Sequence, residues 1–259
     1  MSERILTDEL ALASALDDIY IRDNVFVFDT VDSTNTYAKD FANAGGGEAI
    51  FIARSQSAGR GRMGRSFHSE DGKGLFLSLL TRKGLCGIDA TRVTTLSAVA
   101  VARAIEALCP IDARIKWVND IYVGLRKLCG ILVEGKMTSD GRLDYTVIGI
   151  GVNLRSQEYP DEISGIATSI EECCGVRIEP LDLAVGIVRE IYALVENPTD
   201  PKIMKEYKAR SMLLGREVTV LKEKPYTTRV VDITDEARLV VDGECGREEL
   251  FTGDVSIRL

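Results

Sequence analysis

Short apolar runs alternate along the chain with segments of helical spacing, which is typical of a sheet backed by helices. The apolar runs predict strands at residues 25–28, 49–53, 75–80, 113–117, 121–123, 127–134 and 145–153. The helical spacing predicts helices at 7–18, 89–108, 181–195 and 202–214, and another that is opened by residues 32–35 and closed by glycines 45–47. The dipeptide Asp140-Gly141 predicts a hairpin turn between the last two strands.

After residue 215 the pattern changes to short strands alone. They are predicted at residues 218–221, 226–233, 238–241, 248–251 and 255–257, with turns at Gly243, Gly246 and Gly253. Closely spaced short strands with glycine turns favour a small barrel. We therefore predict two domains, 1–210 and 211–259.

Residues 54–69 form a cationic segment in an acidic chain. Arg54, Arg60, Arg62 and Arg65 lie there among three glycines (Gly59, Gly61 and Gly64) and without an acidic residue before Glu70, although the net charge of the chain is -8. Glycine lets a backbone approach a ligand closely, and guanidinium groups match phosphate or carboxylate oxygens. The segment therefore predicts an anion-binding loop.

Two other interpretations of this loop are disfavoured. Gly59, Gly64, Arg65 and Ser66 fall on the phosphate-loop pattern, but arginine replaces its lysine, and a turn and a strand follow where the pattern needs a helix. Binding of nucleic acid would call for a basic domain, whereas 32 basic residues stand against 40 acidic ones. A small anion fits the loop better.

Composition places the chain among globular proteins, with 45% hydrophobic and 28% charged residues. The sequence shows no run long enough for a membrane span and no secretory signal, so we expect a cytoplasmic protein. A single N-terminal helix makes a DNA-reading module unexpected. Six cysteines without a C-x-x-C spacing predict free thiols, with neither a disulfide nor a structural zinc site.

Polar residues at strand ends are further candidates for ligand contacts. Ser33, Thr34 and Asn35 open a helix, either as ordinary capping residues or as partners of a neutral polar ligand. Lys127 begins a strand and could simply be a solvent-exposed residue at the strand end. If it lies beside residues 119–120, its positive charge would instead suit the stabilisation of a charged leaving group. Gly149 and Gly151 lack side chains, which indicates that their backbone closely approaches a neighbouring strand or a purine ring. His68, the only histidine, has no identifiable nucleophile as partner.

Five motifs in this order resemble those of biotin protein ligases. They are STN at 33–35, QSAGRGRMGR at 56–65, KWVND at 116–120, KLCGILVE at 127–134 and GIGVN at 149–153, and the tail GDVSIR at 253–258 resembles the end of that family's C-terminal barrel. The resemblance covers nearly all of the chain from Val25. Two residues depart from the family pattern: proline is common at the position of Val118, and alanine at that of Cys129. We expect these differences to affect the stiffness of the loop more than the activity.

The resemblance implies an α+β fold in which a mixed-sheet, class II synthetase-like catalytic domain is followed by an SH3-like barrel. It implies that biotin and MgATP form biotinyl-5'-adenylate, and that a lysine of a biotin carboxyl carrier domain then accepts the biotin. It also implies the type of ligase without a DNA-binding module, and it allows a homodimer whose interface the sequence does not indicate.

Residue roles follow from the same resemblance. Catalysis would involve Lys127, Arg62 and Asp120, of which Asp120 orients or deprotonates the acceptor amine. The implied biotin contacts are Ser33, Thr34, Asn35, Gln56, Gly59, Arg60, Gly61, Arg62 and Lys127. The implied ATP or adenylate contacts are Arg62, Arg65, Asn119, Lys127 and Asn153, while the metal ligands stay open.

A shared pocket is the central expectation from the sequence. A carboxylate and a triphosphate repel each other, so cations from the glycine loop and from the strand that begins at Lys127 must converge to bring them together. Two alternatives remain open. A lipoate-protein ligase would prefer a flexible acyl chain, and a non-catalytic binding protein would release no pyrophosphate.

Overall fold

The computed structural model describes residues 3–19, 21, 24–82, 85, 88–137, 143–243, 246–251 and 255–257. The predicted turns at Asp140-Gly141 and at Gly253 lie outside these residues, as do Cys86 and Cys245. The other four cysteines are free thiols. No helix in the described part of the chain is long and apolar enough to cross a membrane.

A seven-stranded mixed sheet forms the centre of the molecule, in the order β1-β2-β3-β7-β6-β5-β4. Only β1 and β2 run parallel, and the other neighbours are antiparallel. The strands are β1 (Val25–Val31), β2 (Ala49–Gln56), β3 (Gly74–Thr81), β4 (Arg114–Lys116), β5 (Asp120–Val123), β6 (Arg126–Met137) and β7 (Leu143–Asn153).

The two faces of the sheet are covered by different helices. Because side chains alternate along a strand, Ile50 and Ile52 face one cluster, and Phe51 and Ala53 face the other. The first, larger cluster packs on α1 (Leu6–Ala15), α3 (Ala90–Leu108), α6 (Pro180–Val195) and α7 (Pro201–Arg210). The second packs on α2 (Thr34–Asn43) alone. This single short helix leaves part of its face open.

A second, antiparallel sheet follows near the C-terminus. Its strands are β8 (Glu217–Val220), β9 (Tyr226–Ile233), β10 (Leu239–Gly243), β11 (Gly246–Leu250) and β12 (Val255–Ile257), in the order β11-β10-β9-β8-β12. The predicted strands are therefore present. As far as the described residues go, the end strands β11 and β12 do not pair, so no closed barrel is formed.

Several predicted boundaries differ from the structure. α1 begins after Ile5 and no side chain caps it, whereas Thr7 or Asp8 was expected to do so. α7 ends at Arg210, four residues early, because the chain from Ser211 is extended and Met212 N–H donates to the Ile115 carbonyl (3.0 Å). Two short helices, α4 (Asp161–Ser164) and α5 (Ile170–Cys174), were not predicted, since four or five residues carry too little periodicity.

Candidate active site

The floor of the candidate site consists of two rows of residues on the face that α2 covers. In the first row, Gly149 of β7 pairs with Ser78 of β3 on one side and with Leu132 of β6 on the other. In the next row, Gly151 of β7 pairs in the same way with Phe76 and Gly130. Further along β7 the same face carries Tyr145 and Val147 in the core. Glycine on neighbouring strands therefore opens a depression where larger side chains would fill the space.

The glycines admit side chains rather than the strand or purine ring that the sequence indicated. A Cβ atom on Gly149 would lie 2.0 Å from Asn35 Oδ1. A Cβ on Gly151 would lie 2.7 Å from the Phe67 ring, which also approaches Gly130. The close approach expected at these glycines is therefore present, and the groups that approach in this structure are the side chains of Asn35 and Phe67.

The start of α2 is held by a buried hydrogen-bond network. Gln56 Oε1 accepts from Thr34 N (2.9 Å) and Thr34 Oγ1 (3.2 Å). Ser78 Oγ lies within hydrogen-bond distance of Thr34 Oγ1 (2.8 Å) and Asn35 Oδ1 (2.6 Å). Ser33 precedes the helix, yet its side chain makes no capping bond. Ser33 is buried and lines the cavity, and its side chain does not serve as an ordinary cap.

The glycine-arginine loop is a narrow hairpin above this floor. Gly61 N–H donates to the Arg65 carbonyl (2.7 Å), and Phe67 N–H donates to the Gly59 carbonyl (2.9 Å). A single 3₁₀ turn, Arg62–Gly64, forms the tip. The next element of the chain is strand β3, whereas a phosphate loop must lead directly into a helix. The phosphate-loop interpretation is therefore excluded.

Glu134 links the loop to the second face of the sheet. Its carboxylate accepts from Lys39 Nζ (2.8 Å) and Asn35 Nδ2 (2.9 Å), and Arg60 Nη1 lies 3.8 Å away. Burial alone would raise the pKa of Glu134, but the hydrogen bonds from Lys39 and Asn35, together with the charges of Lys39 and Arg60, hold it below its usual value. Glu134 therefore stays ionised at neutral pH and attracts Arg60.

Two cationic side chains reach the same cavity from different elements. Arg62 Nη1 donates to Asn119 Oδ1 (3.0 Å), which aims the guanidinium at the turn between β4 and β5. Lys127 Nζ lies 2.8 Å from Asp120 Oδ1. Both Arg62 and Lys127 line the cavity above the glycine floor. The convergence expected from the sequence is therefore present.

The cavity is small in this state. Its volume is about 50 Å³, which is room for a few water molecules. A neighbouring cleft of about 320 Å³ lies beyond Arg60, Gly61 and Arg62, and these residues line both spaces. The loop tip therefore lies between a small inner cavity and a larger outer cleft. A larger cavity of about 700 Å³ at β3 and α6 contains none of the predicted site residues.

Most predicted site residues meet at this cavity. The lining includes Ser33, Thr34, Asn35, Gln56, Arg60, Gly61, Arg62, Asn119 and Lys127. Four others do not line it. Gly59 lies against Ser69 and Gln56, Asp120 contacts Lys127 from behind, and Asn153 Nδ2 donates to the Thr168 carbonyl (2.9 Å). Arg65 is exposed. Arg54, which the sequence placed in the same cationic segment, does not line the cavity and forms an ion pair with Asp8.

Comparison with known proteins places this geometry in a family. Residues 27–153 match the biotin/lipoate A/B protein ligase family, and residues 213–258 match the biotin protein ligase C-terminal domain. The bifunctional ligase/repressor BirA of Bacillus spizizenii is 32% identical over 241 residues, covering 88% of this chain and 72% of the relative. The chain belongs to the biotin protein ligase family. It is an enzyme whose reaction is biotin ligation.

Further similarities of this ligase extend over nearly its whole length. A biotin–[acetyl-CoA-carboxylase] ligase of Mycobacterium tuberculosis is 29% identical over 272 residues, covering 96% of this chain and 98% of the relative. A solved structure of the biotin protein ligase from Aquifex aeolicus in complex with biotin and ATP superposes with a TM-score of 0.78. It shares 26% identity, and the match covers 91% of this chain and 98% of that one.

Sequence reasoning missed Ser78, which holds the start of α2, and five residues that line the ligase's cavity: Phe67, Gly130, Ile131, Leu132 and Ile150. Ser78 had a usable signal, because a hydroxyl inside an apolar strand requires a buried partner. The five lining residues had none, since their place depends on strand register. His68 Nε2 lies 3.8 Å from Glu70 Oε2 and does not line the cavity. Burial raises the pKa of the Cys129 thiol, so Cys129 is no nucleophile.

Proposed function

We propose that the cavity performs ATP-dependent biotinylation of a carrier protein in two steps. In the first step, a carboxylate oxygen of biotin attacks the α-phosphorus of ATP, and the bond to pyrophosphate breaks. In the second, a lysine amine of the carrier attacks the carbonyl carbon, and AMP leaves. The observation that supports this most is the convergence of Arg62 and Lys127 over the glycine floor, beside the neutral polar side chains of Ser33, Thr34 and Gln56.

The neutral end of the cavity would hold the ureido ring of biotin. Ser33, Thr34 and Gln56 supply hydroxyl and amide groups there, with Asn35 behind them and the backbone of residues 59–61 above. A neutral ring with both donors and acceptors matches such groups without requiring a charge. Because the present volume is too small for a fused bicyclic ligand, the loop would move to admit biotin and then close again over the adenylate.

The cationic end would hold the reacting groups. Arg62 and Lys127 offset the charge of the biotin carboxylate and of the α-phosphate, so that two anions can approach. Asn119 orients Arg62 through its hydrogen bond. Arg65 and Asn153 are proposed for the nucleotide, with Arg65 at the exposed rim and Asn153 after a rearrangement that frees its amide from Thr168.

Asp120 is proposed for the second step. Its carboxylate lies against Lys127 Nζ and therefore at the edge of the reacting centre. A carboxylate there can accept a proton from the incoming ammonium group or orient the amine for attack. The proton lost by the amine would pass to Asp120 or to water, while Lys127 stays near the departing phosphate.

The remaining partners follow from this chemistry. No cluster of three described His, Cys, Asp or Glu side chains is placed to hold a metal, so we propose that Mg²⁺ arrives on the nucleotide as MgATP. The acceptor is a biotin carboxyl carrier domain of a biotin-dependent carboxylase. Free thiols at all four described cysteines fit a cytoplasmic location. A division into domains 1–210 and 211–259 fits the separate C-terminal sheet.

An exchange assay tests this proposal against the two alternatives. With radiolabelled pyrophosphate, the protein should form labelled ATP only when biotin is present, and lipoate should neither support the exchange nor compete with biotin. Exchange driven by lipoate would identify a lipoate ligase. Biotin binding without any exchange would leave only a binding protein and would contradict the proposal.

A further inference from the structure

The turn that carries Asn119 and Asp120 is fixed firmly on its cavity side. Asn119 Nδ2 donates to the Ile131 carbonyl (2.9 Å), and Ile131 N–H donates to the Asn119 carbonyl (3.0 Å). Arg62 and Lys127 add the contacts described above. The turn is thereby joined to β6 and to the tip of the glycine-arginine loop.

A tyrosine of α7 holds the same turn from the opposite side. Tyr207 has 0% of its surface exposed, and its hydroxyl donates to the carbonyl of Val118 (3.0 Å). Burial raises the pKa of Tyr207, and it lies near enough to Arg62 and Asp120 for their charges to act on it. The phenol therefore stays protonated and serves as a donor at neutral pH.

The residue before Val118 is fixed to the C-terminal sheet. The indole N–H of Trp117 donates to the carbonyl of Ala237 (2.8 Å), which lies in the turn between β9 and β10. Trp117 is 5% exposed and is the only tryptophan of the chain. Its fluorescence therefore reports on the turn at 117–120 directly.

We propose that Tyr207 is a positioning residue for biotin ligation. Its hydrogen bond to the Val118 carbonyl fixes the backbone of the turn. From this turn, Asn119 orients Arg62 and Asp120 contacts Lys127. This inference rests on the proposed function, because it assumes that Arg62, Lys127 and Asp120 act at the reacting centre. Tyr207 itself touches neither substrate nor the cavity lining.

The physical reason is the cost of an unpaired buried carbonyl. Without the hydroxyl, the buried Val118 carbonyl would lose its donor, and the turn would shift to find another. A shift of about 1 Å in groups that position a reaction can lower the rate by up to about 100-fold. The groups proposed for the ureido ring, on Ser33, Thr34 and Gln56, belong to other elements, so biotin binding should change much less than kcat.

The test compares Tyr207→Phe with Tyr226→Phe in the full chain. Tyr226 also donates a phenolic hydrogen bond, to Glu248 Oε2 (2.7 Å), but within the C-terminal sheet. For Tyr207→Phe we expect kcat for carrier biotinylation to fall about tenfold. We expect KM for biotin to stay within about twofold and acrylamide quenching of Trp117 to rise. Tyr226→Phe should match the wild type in all three.

The fluorescence separates this inference from the proposed function. Unchanged quenching of Trp117 in Tyr207→Phe overturns the positioning role, whatever kcat does. Equal losses in both variants also overturn it, because they would reflect general destabilisation. If the wild type does not biotinylate a carrier, the proposed function fails. A change in quenching would then establish that Tyr207 holds the turn, but the catalytic part of the inference would fall with the function.

Discussion

At the residue scale, the proposed chemistry depends on two cations, each of which is held by one neutral or acidic side chain. Asn119 orients Arg62, and Asp120 contacts Lys127 from behind. Both cationic side chains are only partly buried. In the proposed reaction, these charges are in place before the two anions meet, which would stabilise an anionic transition state.

Lys127→Ala should abolish most biotin-dependent ATP–pyrophosphate exchange and leave the protein folded. Removing one preorganised cation from a phosphoryl-transfer site costs about 100-fold or more in kcat. The control is Lys136→Ala, which removes a lysine of the same strand whose Nζ instead contacts Asn43 Oδ1 (2.9 Å). Normal exchange in Lys127→Ala would refute the role given to this lysine.

Glu134→Gln should destabilise the protein in a pH-dependent way. The folded-state pKa of Glu134 lies below its unfolded value, so its stabilisation is complete above the unfolded pKa and is lost as pH falls through the folded pKa. We expect a loss of about 1–2 kcal/mol at pH 7, which shrinks below about pH 4. Urea unfolding at pH 7 and pH 3 measures both values. A difference that is the same at the two pH values would show that the charge has no part in it.

The residues that sequence reasoning found are those with distinctive chemistry. Arginines among glycines, a lysine at a strand start and an Asn-Asp pair can be recognised in one dimension. Phe67 and Gly130 could not be found that way, because an apolar ring and a glycine acquire their place only through the pairing of β6 with β7.

At the scale of elements, the site depends on a short helix, a hairpin loop and a glycine-bearing strand. α2 covers only part of its face of the sheet, and the loop closes over the remainder. The predicted strands were confirmed because buried apolar runs are strong signals. The hairpin form of the loop was not predicted, since the glycines allow many backbone conformations.

The glycine-arginine loop should become protected when both substrates bind. Trypsin should cut at Arg60, Arg62 or Arg65 in the free protein, and biotin with ATP should slow this cleavage as the loop closes over the adenylate. Arg177, whose side chain is 72% exposed in the segment between α5 and α6, provides an internal control. Cleavage there should proceed at the same rate. Equal slowing at both positions would count against loop closure.

Gly149→Ala should weaken biotin binding about tenfold or more. The new methyl group would collide with Asn35 Oδ1, which Ser78 holds at 2.6 Å, so the start of α2 would have to move. Isothermal titration calorimetry measures the change. Gly165→Ala is the matched control, because no atom lies within 4 Å of the added Cβ and the φ of Gly165 is -81°. Wild-type affinity in Gly149→Ala would show that the network does not shape the pocket.

At the scale of the whole molecule, the segment between β9 and β10 contacts both the turn at residues 117–120 and α3. Trp117 is hydrogen-bonded to Ala237, and Arg92 Nη1 donates to the Asp235 carbonyl (2.5 Å). The sequence predicted a separate group of short strands but not these contacts. Every residue has a backbone carbonyl, so the sequence does not indicate which one accepts the hydrogen bond from Trp117. The acceptor, Ala237, is also 120 positions away along the chain.

Transfer of biotin to a carrier tests the shared pocket most directly. The intact protein is incubated with biotin, MgATP and a biotin carboxyl carrier domain, and the carrier is analysed by mass spectrometry. We predict the addition of one biotinyl group on a single lysine, dependent on ATP and absent with Lys127→Ala. A carrier of unchanged mass in the presence of the wild-type protein, or equal modification by wild type and Lys127→Ala, would contradict it.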